Sequence, residues 1–192
     1  ERLGTPIHTG VVSLDDDPNA VWVQCTGGQP GRRDYSVADD AVPLLDVLDV
    51  RRGAELPEGI IVLLDLIGGP IAVSLAEELG DRAVLVTQDN IAGNELSRTG
   101  DLAPANSRLA QQGVTIERRS IVRAITAEGA VLEDRFNVER RTIACAAVVD
   151  CGFRLPADPI DGVALRAGDA VAPRTVHEAV LEARRDEPAI GG

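Results

Sequence analysis

Hydrophobic positions in this chain follow two spacings, and each predicts a different element. Ile60 to Leu64 is an unbroken apolar run, the pattern of a central parallel strand covered on both faces. Gly68-Gly69-Pro70 then breaks the run. Ala72, Leu75, Ala76 and Leu79 follow at the spacing of one helical face, with Glu77 and Glu78 turned away and Gly80 as a stop. Ala83 to Thr87 is the next apolar strand. Together these segments predict a βαβ unit of the usual ~30 residues.

The remaining pattern is weaker. Thr5 to Val12 reads as a short strand and Ala20 to Cys25 as a buried one, with a linker over residues 27–35. Leu44, Leu45 and Leu48 suggest a helix over Val42 to Val50. Residues 89–106 are loop-like, and Ser107 to Gln112 reads as a short helix stopped by Gly113. Val114 to Glu117, Ile121 to Thr126 and Ala130 to Glu133 predict a small antiparallel meander. Thr142 to Val149 reads as one apolar strand, and residues 153–162 as a second linker. In the last helix Val176, Ala179, Val180 and Ala183 fall at i, i+3, i+4 and i+7.

Composition narrows the function classes. The 192 residues are 44% hydrophobic, enough for one large domain or two small ones, but only 2% aromatic, so Ala, Val, Leu and Ile must build the core. A net charge of −12 argues against nucleic acid and against anionic membrane surfaces. Cys25, Cys145 and Cys151 form no CxxC pair, and an odd number makes a poor disulfide framework. A reducing, cytoplasmic compartment is the simpler expectation. Cys25 and Cys151 are expected to be small buried residues. With only His8 and His177, no metal site is expected, and His177 reads as a surface residue. Ile60 to Ala76 is the one stretch resembling a membrane span, but Asp65 and the Gly-Gly-Pro break favour strand–turn–helix. No signal peptide is evident. The chain starts at Glu1 and contains no Met, so a piece of a longer or processed product is expected.

Candidate chemistry lies at the turns. A dinucleotide turn needs small residues at three places: the tight turn, the approach of the pyrophosphate, and helix–strand packing. In Leu66-Ile67-Gly68-Gly69-Pro70-Ile71-Ala72 the second and third are Gly69 and Ala72, but the first is the β-branched Ile67, expected to resist the turn. At the end of the second strand, where an acidic ribose ligand is usual, stand Thr87 and Gln88, with Asp89 one step beyond. Gly68, Gly69, Ala72 and Gln88 are therefore candidate contacts of a weakened nicotinamide or adenine site, or of a fold that no longer binds nucleotide. Asp169 in Gly168-Asp169-Ala170-Val171-Ala172-Pro173-Arg174 precedes an amphipathic helix, a position from which a carboxylate can bond sugar-like hydroxyls and a helix end can bind phosphate. The alternative is an Asp in a turn capping a surface helix.

That GDAVAPR segment resembles the C-terminal flavin signature of FAD/NAD-linked reductases, and within them old-yellow-enzyme-like proteins of the trimethylamine dehydrogenase and dienoyl-CoA reductase type. Cys25-Thr26-Gly27-Gly28-Gln29-Pro30 resembles the family's ATG-x-x-P segment. Asp150-Cys151-Gly152 resembles its paired return, with Cys151 where Thr is usual. The resemblance runs from about Leu3 to Arg185. It implies an α/β fold: a Rossmann-like parallel sheet with a small antiparallel meander, inserted in a partial FAD-type domain. The implied division is 1–38, partial FAD-type domain and linker; 39–158, inserted NAD(P)-type domain; 159–192, return to the FAD-type domain. Cys25, Thr26, Gly27, Gly152, Gly168, Asp169, Ala170 and Val171 would then lie near FAD, with Asp169 facing its ribityl chain or pyrophosphate. FAD or an ADP moiety would be shared with a partner segment, and NAD(P)H would bind weakly or not at all. FMN and an iron–sulfur cluster would reside in a partner subunit or missing N-terminal segment carrying the flavin barrel. Two functions stay open: a cofactor-binding part of an oxidoreductase relaying reducing equivalents, and a non-catalytic structural or docking subunit holding at most an ADP moiety.

Overall fold

A computed structural model describes residues 20–173 and 175–190, with side chains to residue 185. The expected strand Thr5 to Val12, His8 and Arg174 lie outside the described residues. The chain divides into two compact units, one from Glu1–Gly27 and Pro156–Gly192, the other Gly28–Leu155. The expected boundaries were 38/39 and 158/159.

In chain order the first unit contributes β1 (Val23–Gln24). The second begins with β2 (Gly28–Pro30), β3 (Ser36–Val37), β4 (Leu44–Asp46) and α1 (Val47–Arg51). It continues with β5 (Ile61–Asp65), α2 (Pro70–Leu79), β6 (Ala83–Thr87), α3 (Leu102–Gln111) and β7 (Thr115–Glu117). Then come β8 (Ser120–Thr126), β9 (Gly129–Asp134), β10 (Arg140–Ile143) and β11 (Ala147–Asp150), with β12 (Arg154–Pro156) ending on the boundary. The first unit resumes with β13 (Leu165–Arg166) and α4 (Val176–Ile190).

The second unit is a three-layer α/β fold. Its centre is a five-stranded parallel sheet in the order β4-β11-β5-β6-β7. Alternation along β5 explains its unbroken apolarity. Ile61 and Leu63 pack with Ala72, Val73, Leu75 and Ala76 of α2 and with Leu109 of α3. Val62 and Leu64 pack on the other face against Val122, Ile125, Ala130 and Leu132. Both faces are covered, so every position must be apolar. The second sheet has the order β10-β9-β8-β3. Its β8–β9 and β9–β10 pairs are antiparallel and β3 runs parallel to β8, so the sheet is mixed.

Val42 to Val50 is not one helix. Leu44–Asp46 is a strand, and the Asp46 side chain accepts the Leu48 N–H to start α1. Residues 89–106 are not all loop, because a 3-10 turn covers Asn94–Thr99 and α3 starts at Leu102. Pro104 is tolerated because it sits in the first turn, where its missing N–H has no partner to lose. Thr115–Glu117 joins the parallel sheet as its edge and is not part of the meander. Thr142 to Val149 splits into β10 and β11, which belong to different sheets. The two expected linkers each contain a strand, β2 and β12, and these form a two-stranded sheet.

In the first unit β1 and β13 form a parallel pair, Val23 opposite Leu165 and Gln24 opposite Arg166. The expected buried strand over Ala20 to Cys25 is only two residues long, with Val21 and Cys25 exposed. The buried residue there is Gln24. Its Nε2 donates to Thr26 Oγ1 at 3.0 Å and to the Asp158 carbonyl at 2.7 Å, and its Oε1 accepts the Ile160 N–H at 3.1 Å. Along α4, Val176, Val180 and Ala183 of the expected apolar face are exposed, while Ala179 is half-buried beside Gly168.

Candidate functional site

Parallel strands end together, and ligands of open α/β sheets bind at their carboxyl ends. In the second unit that edge reads, strand by strand, Asp46, Asp150, Asp65, Thr87 and Glu117. Four of these are carboxylates, and each has its own partner. Asp46 accepts from Arg154 Nη1 at 2.9 and 2.7 Å, and Asp150 accepts from Tyr35 at 2.7 Å and Arg33 at 3.1 Å. Burial and the Asp150 hydrogen bond push the Tyr35 hydroxyl well above its ordinary range. Glu117 pairs with Arg141 at 2.5 Å.

Asp65 is the exception, because its partners are backbone groups of the turn that follows it. Its Oδ1 accepts the Gly68 N–H at 2.8 Å and the Ile67 N–H at 3.2 Å. Its Oδ2 is buried and has no hydrogen-bond partner. The residue is 1% exposed. Burial pushes its carboxyl up to about 6, against the lowering effect of the Gly68, Ile67 and Gly69 N–H groups. The Asp89 carboxylate raises it further.

The turn itself forms without strain at Ile67. Gly68 takes the left-handed conformation, φ +74°, and Gly69 is the extended residue before α2, φ −99°. Ile67 stays out of the left-handed region with its side chain partly exposed, so the expected obstruction by a β-branched residue does not arise. Gly68 is the position with no room: a Cβ there would lie 3.2 Å from the Asn94 nitrogen and 3.5 Å from Asp89 Oδ2. Asp89 thus reaches the glycine turn from the loop after β6. Gln88 bonds the Leu66 carbonyl through Nε2, while its own carbonyl accepts from Arg135. Gly152 donates to Asp150 Oδ1 at 2.9 Å, and a Cβ on it would lie 2.7 Å from that oxygen.

The structure therefore brings Gly68, Gly69, Ala72 and Gln88 together at the carboxyl edge of the second unit, with Gly152 on the neighbouring β11 end. Cys25, Thr26, Gly27 and Gly168 to Val171 belong to the first unit. There Asp169 is exposed on a 3-10 turn, Gly168–Ala170. The Val171 N–H is bonded to the Gly168 carbonyl at 2.9 Å and does not face outward as a ligand donor. The Gly168 N–H donates to Glu182 Oε2 at 2.9 Å. Helix α4 starts only at Val176, and Glu178 already accepts the Thr175 N–H at 3.2 Å and its hydroxyl proton. Both bonds run from Thr175 to the Glu178 carboxylate, which brings a negative charge to the first turn of α4.

Asp65 and Asp89 escaped the sequence reading as site residues. The available signal was a lone carboxylate closing an otherwise apolar strand directly before Gly-Gly. Cys151 is buried, which pushes its thiol up, whereas Cys25 is exposed, against expectation. Beside the end of β7 lies a cleft of about 600 Å³ lined by Asn90, Glu117, Arg118, Arg119, Asp134 and Arg141 among others. Arg119–Asp134 and Arg141–Glu117 pair within it at 3.5 and 2.5 Å. Among the described residues no group of three His, Cys, Asp or Glu side chains could hold a metal ion, and no helix is long and apolar enough to cross a membrane.

No family model matches the chain, and no curated protein matches it in sequence. Solved structures do match its fold. Histamine dehydrogenase from Rhizobium sp. 4-9 aligns at a TM-score of 0.78 with 20% identity over 88% of this chain and 30% of its own. A 2-naphthoyl-CoA reductase aligns at 0.71 with 17% identity over 84% and 26%. The HOCl-induced flavoprotein disulfide reductase RclA from Escherichia coli aligns at 0.60 with 16% identity over 88% and 45%. The chain thus spans less than half the length of each. The likeness is one of fold: the α/β arrangement, with its five-stranded parallel sheet and small mixed sheet, is shared with part of each of these proteins.

Proposed function

We propose that this chain is the nucleotide-binding part of a flavin-dependent oxidoreductase whose flavin barrel and iron–sulfur cluster lie on a partner chain or a further segment. The observation that carries the reading is the strand–glycine turn–helix of β5 and α2, set at the carboxyl edge of a parallel sheet shared with flavin-linked neighbours. In the first unit, Asp169 would accept hydrogen bonds from ribityl or ribose hydroxyls of FAD or an ADP moiety. Redox chemistry, when flavin is bound, comes from the flavin. Gln24, Arg166 and the 3-10 turn position the Asp169 loop, since Arg166 Nη2 donates to the Ala157 and Ala170 carbonyls.

The partner reading rests on the first unit. Among the described residues its sheet is a two-stranded parallel pair, which is seldom stable alone, and Val176, Val180 and Leu181 are exposed on α4. A second reading, a docking subunit without nicotinamide turnover, is favoured by the capture of the turn N–H groups by Asp65. The test is to isolate the chain in its native assembly, then record its visible absorbance and identify released nucleotides. Flavin that NAD(P)H reduces supports the first reading. An adenine nucleotide without pyridine-nucleotide reduction supports the second. Neither flavin nor adenine nucleotide overturns both.

A further inference from the structure

A dinucleotide turn works because its backbone N–H groups point at the pyrophosphate and the following helix adds a positive end. In this chain those donors have another use. The Ile67 and Gly68 N–H groups bond Asp65 Oδ1, and the Gly69 N–H also acts on that carboxylate. Pro70, the first residue of α2, has no N–H to offer. The residues present therefore do not fit a pyrophosphate in the way the fold implies.

We infer that Asp65 is a specificity-determining residue of the second unit: its carboxylate takes the turn's donors from within and repels a dinucleotide's pyrophosphate from without. The inference rests on reading this unit as nucleotide-binding. The unpartnered Oδ2 is what separates this arrangement from a simple turn cap. An Asp serving only to cap would satisfy one oxygen and leave the other in water, whereas here the second oxygen is buried without a donor. That buried negative charge sits directly under the turn. The charge facing it from the β6 loop, Asp89, has the same sign, and the neutral Cys151 thiol lies within its field at the β11 end. A phosphate arriving at the turn meets two carboxylates and few outward donors. A neutral nucleoside at the sheet edge meets no such penalty, so the arrangement discriminates against the dinucleotide.

The sign of the pH effect follows. Protonating Asp65 removes the repulsion, so pyrophosphate binding strengthens as pH falls through the Asp65 range, about 6. A like charge within about 4–6 Å is worth roughly ten- to a thousandfold. The test is calorimetric titration of the full chain with NAD⁺, whose pyrophosphate does not titrate near neutrality, and with adenosine, which has none. Wild type and Asp65→Asn are compared at about pH 8 and about pH 5, either side of the Asp65 range. The expected result is at least a tenfold gain in NAD⁺ affinity for Asp65→Asn at the higher pH, a similar gain for wild type on acidification, and adenosine binding unchanged throughout. Equal NAD⁺ affinity in the two proteins, or no NAD⁺ binding by either at both pH values, overturns the inference. If Asp65→Asn fails to fold, as circular dichroism would reveal, the wild-type pH series decides alone. Failure of the underlying reading looks different: adenosine is then bound by neither protein.

Discussion

Asp65 Oδ1 holds the Gly68 N–H at 2.8 Å while Oδ2 of the same carboxyl is buried with no partner. The pair ties the last residue of the central strand to the residue that reverses the chain. It also makes Asp65 a buried acid whose pKa is raised from 3.8 to about 6. A raised folded-state value means that the folded protein holds this proton more tightly than the unfolded chain. Its stabilising contribution is full below about 4 and is lost as pH rises through about 6. The contribution is on the order of 3 kcal/mol. Wild type should therefore lose stability relative to Asp65→Asn between about pH 4 and about pH 7, as urea melts of both proteins across that range would measure. Parallel curves would return Asp65 to an ordinary surface-like carboxylate.

The two glycines of the turn should respond differently to Ala. Gly68 has φ +74°, and its Cβ would press on the Asn94 nitrogen at 3.2 Å. Gly69 is extended, and its Cβ would meet Ile67 Cγ2 at an ordinary 3.5 Å. Gly68→Ala should cost roughly 1–2 kcal/mol or more, and Gly69→Ala less than about 1 kcal/mol, by thermal or urea melts. The reverse order would mean that the chain reverses at Gly69.

Asp46 serves two partners at once, the Leu48 N–H that starts α1 and the guanidinium of Arg154, the first residue of β12. Asp46→Asn keeps the cap but loses the charge pair, and Asp46→Ala loses both. Asp46→Ala should be the more destabilising by about 1 kcal/mol, the usual worth of a cap. Equal losses would show that the cap contributes nothing.

Gln24 is the one buried polar side chain of β1, with three hydrogen bonds into residues 26 and 158–160. Gln24→Leu removes all three and leaves the Ile160 N–H and Asp158 carbonyl without their side-chain partner. Hydrogen exchange of the Ile160 amide should quicken by about tenfold or more, with the Leu63 and Leu85 amides of the second unit unchanged. Unchanged exchange at Ile160 would mean that another group holds that loop.

The elements read correctly from the sequence are those whose burial is two-sided. β5 and β6 are continuous apolar runs because helices cover one face and the mixed sheet the other. α2 is legible because Ala72, Leu75 and Ala76 share one buried face and Gly80 stops it. Apolarity did not reveal where Thr142 to Val149 changes sheets, since no Gly, Pro or charge marks Cys145 or Ala146. Leu44 and Leu45 share helical spacing with Leu48, which concealed the strand. Asp46 as a cap was the missed cue. In the site, glycines were found because turns demand them. Asp65 was passed over because its role depends on backbone N–H directions that composition does not carry. The start of the last helix at Val176 was legible from the spacing of Val176, Ala179, Val180 and Ala183.

The central claim, that this chain holds a nucleotide cofactor through the Asp169 loop, is tested most directly by cofactor content. The chain is isolated in its native assembly as wild type and as Asp169→Ala, and flavin and adenine nucleotide are counted per chain after gel filtration. Wild type should carry a flavin or adenine nucleotide, and the variant should retain it about ten- to a hundredfold more weakly, the effect of losing one charge-assisted hydrogen bond of ~1.5–3 kcal/mol. A wild-type assembly with no flavin and no adenine nucleotide, or equal retention in both proteins, would contradict the claim.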